Sequence, residues 1–258
     1  MTIDGVLLDM DGVLAQSWRA LPGAAETLAR LRERSFPFRI VTNTTTHTRA
    51  EFARTLGETG LDVLPDEVIT AVVGTATYLR AHHPGASVFL LSDGDAREDL
   101  EGVHITDVDA ADVMVFGGAS DDFTYPTLNH VFRRVMDGAL LIGMHRNLYW
   151  RTDEGLQLDS GAFIAGLEEA SGRAAVICGK PAPAFFEQAV SLLGTTAERT
   201  AMVGDDVVND VLGAQSAGLV GVLVRTGKFA PEDLERVSEA PDHDLETIGD
   251  LPRLLEAS

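Results

Sequence analysis

Short apolar runs alternate along the chain with segments in which apolar residues recur every three or four positions. The first run, Ile3 to Leu8, is broken only by Asp4 and Gly5 and predicts a buried strand that ends at two aspartates. Further strands are predicted at 38–41, 87–91, 113–116, 139–143, 175–177, 200–203 and 220–224. Helices are predicted at about 23–34, 49–59, 65–82, 96–100, 124–136, 161–170, 183–193 and 207–217. This strand–helix alternation is typical of the α/β class with a parallel sheet.

Two stretches have no clear period. Residues 15–19, directly after the first strand, predict a loop or short flap. The tail beyond the last strand is rich in Asp, Glu and Pro, and its apolar positions, Ile248 and 251–255, are expected to dock onto the core.

Composition narrows the class of protein. A chain of 258 residues with 45% apolar content can form one large domain or two modest ones. The single cysteine, Cys178, cannot form an internal disulfide, and a reducing, cytoplasmic setting fits. The sequence contains no apolar run of about 18 residues and no secretory signal pattern, so we expect no membrane span. A net charge of −20 argues against nucleic acid or anionic membranes as partners.

Polar side chains stand at four predicted strand ends, where a buried strand does not otherwise need them. They are Asp9 with Asp11, Thr42 with Asn43, Lys180, and Asp205 with Asp206 and Asp210. In open parallel sheets ligands bind outside the carboxyl ends of the strands, so these groups are expected to converge there. Taken singly, each has a simpler explanation, such as a turn, a helix cap or a solvated lysine.

Lysine is rare in this chain. Among 20 basic residues only Lys180 and Lys228 are lysine. A compact point charge serves roles that the planar guanidinium of arginine does not, although chance alone can also leave two lysines.

Four motifs occur in a fixed order along the chain. They are DMDGVL (9–14), VTN (41–43), the lysine of GKP (179–181) and GDDVVND (204–210). Together they resemble the motifs of the haloacid dehalogenase-like hydrolases. The long insert between Thr42 and Lys180 resembles the cap of subfamily IIA, which follows the second motif. The segments 117–132 and 204–229 most resemble the phospholysine phosphohistidine inorganic pyrophosphate phosphatase-like branch, and the general p-nitrophenyl-phosphatase branch is the next nearest.

The resemblance implies a domain organisation. We expect a Rossmann-like three-layer parallel-sheet core formed by residues 1–70 and 176–258, with an α/β cap inserted at 71–175 that closes over the site. It also implies a Mg²⁺-dependent phosphatase acting on small phosphorylated substrates, with homodimerisation through the cap as a further expectation.

The paired aspartates carry the chemistry in this interpretation. Asp9 is expected to attack phosphorus and form an aspartyl phosphate. Asp11 is expected to protonate the leaving oxygen and then activate water. Mg²⁺ would relieve the repulsion between carboxylates and phosphate, with Asp9, the backbone carbonyl of Asp11 and Asp205 as the ligands that the resemblance implies.

The remaining motif residues receive supporting roles from the same resemblance. Thr42, Asn43 and Lys180 are expected to bind the phosphate oxygens. Asp206 and Asp210 are expected to orient the water molecules bound to the cation.

Substrate choice is the least determined property. His145, Arg146 and Asn147, at a strand end of the predicted cap, are candidates for the substrate-facing loop, with ordinary loop residues as the alternative. The resemblance implies phosphomonoester substrates, with pyrophosphate or P–N bonds as further candidates. A phosphomutase or phosphotransferase, and a noncatalytic phosphometabolite-binding module, remain alternative functions.

Overall fold

The computed structural model describes residues 2–152 and 155–257, which form two compact α/β units. The larger unit comprises the residues up to Thr42, Arg49–Ile69 and the residues from Lys180 onward, and the smaller unit comprises Asn43–Thr48 and Thr70–Gly179. The strands are β1 Gly5–Asp9, β2 Ala15–Gln16, β3 Arg19–Ala20, β4 Phe38–Thr42, β5 Val68–Thr70, β6 Ser87–Leu91, β7 His104–Ile105, β8 Val113–Phe116, β9 Leu140–Gly143, β10 Tyr149–Thr152, β11 Gly155–Leu158, β12 Val176–Ile177, β13 Thr200–Gly204, β14 Val220–Val224 and β15 His243–Leu245.

The helices follow most strands, as expected for an α/β chain. They are α1 Ala24–Glu33, α2 Arg49–Glu58, α3 Ala71–His82, α4 Tyr125–Met136, α5 Ser160–Ser171, α6 Pro183–Leu193, α7 Gly213–Ser216, α8 Pro231–Glu235 and α9 Leu251–Ala257. Shorter 3₁₀ turns occupy Pro65–Glu67, Ala96–Asp99, Val108–Ala110, Ala197–Arg199 and Ile248–Asp250, and a π-helical segment occupies Val207–Leu212.

A six-stranded sheet forms the centre of the larger unit, in the order β15-β14-β13-β1-β4-β5. The pairs from β15 to β4 are all parallel. Both faces of the sheet are covered, because on β14 Val222 joins the main apolar cluster with Leu28 of α1, whereas Leu223 packs with Val207 and Val211 of the π-helical segment. Two covered faces produce the predicted three-layer arrangement.

The smaller unit repeats this plan with a five-stranded parallel sheet in the order β12-β9-β8-β6-β7. On β8 the side chains alternate, with Val115 packing among α3 residues and Met114 packing among residues of α4 and α5. An antiparallel hairpin, β10–β11, is added to this unit. The α/β class predicted from the sequence is therefore confirmed.

The predicted continuous helix over 65–82 is wrong. A 3₁₀ turn, the short strand β5 and then α3 occupy this stretch. Val68 and Ile69 are buried at 1% and 3% exposure, and their branched side chains suit a sheet edge better than a helix. The short strands β2, β3, β7, β10, β11 and β15 were also not predicted, because their two to four residues include polar positions and form no apolar run.

The acidic tail docks onto the larger unit as expected. Ile248 and Leu251 are almost fully buried, and the carbonyl of Ile248 accepts a hydrogen bond from the hydroxyl of Thr27 on α1 at 3.1 Å. Among residues 2–152 and 155–257, no helix is both long and apolar enough to cross a bilayer.

The sequence-based domain limits differ from the two units at three places, because the smaller unit also includes Asn43–Thr48 and Thr70 and extends to Gly179. Strand β12 pairs with β9 of the smaller sheet, so the larger unit resumes at Lys180 rather than at 176. The assignment of the two units as catalytic core and inserted cap stays a prediction.

Candidate active site

Three neighbouring strands of the larger unit end beside each other in polar residues. Asp9 is the last residue of β1, and Asp205 directly follows β13, which pairs with β1 on one side. Thr42 is the last residue of β4, which pairs with β1 on the other side in a register that places Val41 opposite Asp9. Parallel pairing therefore brings these side chains to one sheet edge, as the sequence predicted.

Lys180 joins two carboxylates in the interior of this edge. Its Nζ lies 2.6 Å from Oδ1 of Asp9 and 2.6 Å from Oδ1 of Asp210. Lys180 and Asp9 are 4% and 6% exposed, and Asp210 is 1% exposed, so the three charges are held together away from water. Charges at this depth need such partners because their desolvation is costly.

Asp205 completes a set of carboxylates with the geometry of a cation site. One carboxylate oxygen from each of Asp9, Asp205 and Asp210 lies within 4.8 Å of the others. Oδ2 of Asp205 accepts a hydrogen bond from the backbone N–H of Lys228 at 2.7 Å, whereas Oδ1 is buried and has no hydrogen-bond partner among the described residues. A buried carboxylate oxygen without a hydrogen-bond partner among the described residues, on a residue close to two other carboxylates, suits a hard cation such as Mg²⁺, which prefers oxygen ligands.

The electrostatics of this set are those of a crowded anionic site. Burial raises the pKa of Asp205 to about 6, against the backbone hydrogen bond from Lys228. Burial and the neighbouring Asp9 raise the pKa of Asp210 to about 6, although Lys180 opposes this. Burial would lower the pKa of Lys180, but Asp210 and Asp9 raise it above its ordinary value, so the ammonium stays charged.

Asp11 differs from Asp9 in its surroundings. Asp9 is buried, whereas Asp11, two residues further on, is exposed. Burial raises the pKa of the Asp9 carboxyl, with Lys180 acting in the opposite direction. Partial desolvation also raises the pKa of Asp11, against the attraction of Lys180 and Lys228. The pair thus offers one enclosed carboxylate and one accessible carboxyl that can exchange protons.

Asp206 and Asp210 frame the start of the π-helical segment. Oδ1 of Asp206 accepts hydrogen bonds from the backbone N–H groups of Val208 and Asn209 at 2.9 and 2.8 Å, so Asp206 is the helix cap. Oδ2 of Asp210 accepts from the backbone N–H of Asp206 at 3.2 Å. A Cβ at Gly204 would lie 2.5 Å from Cγ of Asp210, so glycine at this position leaves room for the buried carboxylate.

Residues after β14 also reach this edge, where the sequence predicted no site residue. The ammonium of Lys228 lies 3.0 Å from Oδ2 of Asp206. Both lysines of the chain thus contact site carboxylates. The scarcity of lysine in the sequence was the one indication of a role for Lys228. No local pattern predicts that Lys228 contacts Asp205, which lies 23 residues earlier.

Four predicted site residues belong to the smaller unit. Asn43 directly follows Thr42 and is half-buried. His145 is 3% exposed, with Nε2 at 3.7 Å from Oδ2 of Asp159, and burial lowers its pKa against the pull of Asp159.

Beside it, Arg146 pairs with Glu168, one contact being 3.1 Å between Nη1 and Oε1. Asn147 donates its backbone N–H to Nδ1 of His145 at 3.3 Å. Each of His145 and Arg146 therefore has a carboxylate partner inside its own unit, and contact of either with substrate stays a prediction.

Comparison with known proteins identifies relatives over nearly the whole chain. Residues 6–106 match the profile of haloacid dehalogenase-like hydrolases, and residues 177–251 match a second profile, described as HAD-hydrolase-like. Haloacid dehalogenase-like hydrolase domain-containing protein 2 of Bos taurus is 38% identical over 239 residues, covering 93% of this chain and 90% of the relative.

Two further relatives have names that state an activity. The phospholysine phosphohistidine inorganic pyrophosphate phosphatase of Homo sapiens is 32% identical, over 98% of this chain and 94% of that protein. The crystal structure of 4-nitrophenylphosphatase from Thermotoga maritima superposes with a TM-score of 0.89 at 32% identity, covering 98% of this chain and 97% of that one.

Proposed function

The chain belongs to the haloacid dehalogenase-like hydrolase family, and on that premise we propose that it is a phosphatase that transfers the phosphoryl group of small substrates to Asp9 and then to water. The family and the phosphatase names of its relatives support the reaction class. The residue roles and the cation rest on the geometry at the carboxyl edge of the larger sheet.

The observation that carries the proposal is the contrast between Asp9 and Asp11. Asp9 is enclosed and oriented by Lys180 at 2.6 Å, which suits a nucleophile that must present one oxygen to phosphorus. Asp11 is exposed and its pKa is raised, which suits a group that must hold a proton and then release it. Two carboxylates in unlike surroundings can divide the nucleophilic and acid–base roles between them.

The proposed reaction proceeds in two steps. In the first, an oxygen of Asp9 forms a bond to phosphorus while the bond to the leaving oxygen breaks, and Asp11 gives its proton to that oxygen. In the second, Asp11 takes a proton from water as the water oxygen attacks phosphorus, and the bond from phosphorus to Asp9 breaks. Inorganic phosphate leaves and Asp9 returns to the carboxylate form.

Mg²⁺ is the proposed cofactor, held by Asp9, the backbone carbonyl of Asp11 and Asp205. The unpaired Oδ1 of Asp205 and its closeness to the carboxylates of Asp9 and Asp210 support this choice. When bound, Mg²⁺ supplies charge neutralisation between the phosphate and these carboxylates. Asp210 holds Lys180 in place, and we propose that Asp210 and Asp206 also orient the water molecules around the cation.

Thr42, Asn43 and Lys180 are the proposed ligands of the phosphate oxygens. Lys180 lies three residues before the start of helix α6 and keeps its positive charge, which suits the binding of a phosphate dianion. Thr42 directly follows Val41, which lies opposite Asp9 on the adjacent strand β4. A hydroxyl and an amide donor add directional hydrogen bonds to the point charge of the lysine.

The proposed substrates are small phosphomonoesters, with pyrophosphate and P–N bonds included. The names of the human and Thermotoga maritima relatives motivate this range. The cytoplasmic setting, a homodimer and the cap role of the smaller unit stay predictions.

The decisive test uses p-nitrophenyl phosphate with Mg²⁺ and with a chelator. We expect activity that chelation abolishes and that Asp9→Asn removes, while the matched variant Asp66→Asn, at a fully exposed side chain, retains it. Borohydride reduction of the aspartyl phosphate releases phosphate and converts the aspartate to homoserine, so homoserine at position 9 of the digested protein would identify the intermediate. Full activity of Asp9→Asn would refute the assignment, and transfer to an added alcohol or sugar phosphate in preference to water would favour a phosphotransferase or mutase.

A further inference from the structure

The segment that follows β14, Thr226 to Lys228, contacts the site through each of its three residues. The hydroxyl of Thr226 donates a hydrogen bond to the backbone carbonyl of Gly12. Gly12 directly follows Asp11, so this bond fixes the position of the loop that carries the proposed acid–base residue.

Gly227 and Gly12 pack backbone against backbone beside Asp205. Both have positive φ, 64° and 83°, which non-glycine residues adopt only at a cost. A Cβ on Gly227 would overlap both Oδ2 of Asp205 and Cα of Gly12, and a Cβ on Gly12 would lie 2.8 Å from Cα of Gly227 and overlap Oδ2 of Asp205. Only glycine at both positions permits this approach.

Lys228 holds two adjacent carboxylates with two different groups. Its backbone N–H donates to Oδ2 of Asp205 at 2.7 Å, and its ammonium lies 3.0 Å from Oδ2 of Asp206. Because Oδ2 of Asp205 is occupied, Oδ1 is the oxygen left without a protein partner. The rotation of the Asp205 carboxylate is therefore set from this segment.

We propose that Thr226-Gly227-Lys228 is a positioning segment of the active site, which orients Asp205 toward the cation and fixes the Asp11–Gly12 loop beside it. This inference rests on the proposed function, because it assigns the segment a role in holding the ligands of the proposed cation. None of the three residues needs to touch substrate. The segment acts through Asp205, Asp206 and Gly12.

The test compares side-chain variants that leave the backbone contacts in place. Thr226→Val removes the hydroxyl at nearly constant shape, and Thr226→Ser keeps it. Lys228→Met removes the ammonium, and Lys228→Arg keeps a positive charge. Arg236→Met, at a guanidinium 75% exposed on α8's C-terminal side, controls for loss of one positive charge elsewhere in the unit.

The readout is Mg²⁺ affinity of the substrate-free protein by calorimetry, beside kcat and KM for p-nitrophenyl phosphate at saturating Mg²⁺ and the thermal midpoint. We expect Thr226→Val and Lys228→Met each to weaken Mg²⁺ binding by about 10-fold, with KM little changed. Thr226→Ser and Lys228→Arg should recover most of the affinity, and Arg236→Met should match the wild type. Lys228 is 61% exposed, so its variants remain informative if Thr226→Val fails to fold.

Asp205→Asn distinguishes failure of the proposed cation site from failure of the proposed positioning role. If Asp205→Asn leaves Mg²⁺ affinity unchanged, the proposed cation site is wrong. If Asp205→Asn abolishes binding while Thr226→Val and Lys228→Met keep wild-type affinity, the cation site stands and the positioning role is refuted. Equal losses in Arg236→Met would also refute it, since the effect would then be one of net charge.

Discussion

Removing Lys180 provides the sharpest physical test of the buried charge cluster. In Lys180→Met the apolar chain has similar length, but the ammonium that lies 2.6 Å from both Asp9 and Asp210 is lost. The side chains of these partners are 8% and 2% exposed, so water cannot replace the lost contacts without rearrangement. We expect the variant to be less stable, by an amount that depends on pH.

The magnitude follows from the distances in the cluster. Two ionised carboxylates 4.8 Å apart, the outer limit within the cluster, repel each other by about 3.5 kcal/mol at an effective dielectric constant of 20. Deleting one partner of a buried ion pair costs about 3–5 kcal/mol in general. We therefore expect Lys180→Met to lower the free energy of unfolding by about 3–5 kcal/mol at pH 8.

The loss should shrink in acid, because protonation relieves the repulsion. Asp205 and Asp210 already have pKa values of about 6 in the folded protein, above their ordinary value of 3.8. A carboxyl with a raised folded pKa favours folding at low pH, and this contribution is lost as pH rises from the unfolded to the folded pKa. Without Lys180 the pKa of Asp210 in the folded protein should rise further. The difference in the free energy of unfolding between wild type and variant should therefore grow above pH 6, by up to about 1.4 kcal/mol per pH unit per proton.

Urea unfolding at pH 5 and pH 8 in metal-free buffer measures both quantities. The control is Lys228→Met, which removes the other lysine of the chain from an ion pair whose lysine is 61% exposed and should cost at most about 1 kcal/mol. A destabilisation by Lys180→Met below 1 kcal/mol at pH 8, or one of equal size at pH 5, would contradict this electrostatic account.

Two further predictions concern the turn after Asp11 and the buried histidine. Gly12→Ala should abolish Mg²⁺ binding and lower the free energy of unfolding by about 1–3 kcal/mol, because the φ of 83° and the overlap with Asp205 both disfavour a Cβ. The control Gly57→Ala lies inside α2 with open space around it and should raise the free energy of unfolding by about 0.5–1 kcal/mol. Calorimetry measures Mg²⁺ binding and urea unfolding measures stability, and a normal Mg²⁺ affinity of Gly12→Ala would contradict the expected overlap with Asp205. His145→Gln should make stability less dependent on pH between 7.5 and 5, because burial lowers the folded pKa of His145 and the unfolded imidazole then takes up a proton that the folded one resists. An unchanged slope in urea unfolding would show that His145 protonates without cost.

The carboxyl edge was predictable because its residues are placed by rules that act locally. Each of Asp9, Thr42 and Asp205 ends or follows a short apolar run, and parallel pairing aligns such ends at one edge. Lys180 could be added only through the motif order, since no local pattern directs a lysine before α6 toward the end of β1. The buried contact of Lys180 with Asp210 was not predicted at all.

Adjacent Asp205 and Asp206 show a limit of sequence reasoning. One carboxylate is buried with an unpaired oxygen, and the other caps the helix through Val208 and Asn209. The sequence allowed a helix cap at either residue, and the resemblance alone assigned the cation to Asp205 and the bound water molecules to Asp206. The structure distinguishes the two residues by burial, since Asp205 is 2% exposed and Asp206 is half-buried.

The role of the segment Thr226 to Lys228 could not be predicted from the sequence for a related reason. The segment's contacts with the site are made with residues distant in sequence, including Gly12, which lies 214 positions from Thr226. A glycine between a threonine and a lysine in a loop reads as an ordinary turn. Position 227 requires glycine because its backbone packs against Gly12 on the loop after β1. This contact cannot be predicted without the sheet order, in which β14 lies two strands from β1.

The buried charges also explain why arginine should replace one of the two lysines but not the other. Lys180 fits between Asp9 and Asp210 with both contacts at 2.6 Å and 4% exposure, where a guanidinium would need a wider, planar space. Lys228 is exposed, and its ammonium makes one ion pair, to Asp206. The structural demand for a point charge is therefore strict at Lys180 and weak at Lys228. Arginine should consequently be tolerated at 228 and rejected at 180, which makes Lys180→Arg and Lys228→Arg a matched pair for separating geometry from charge.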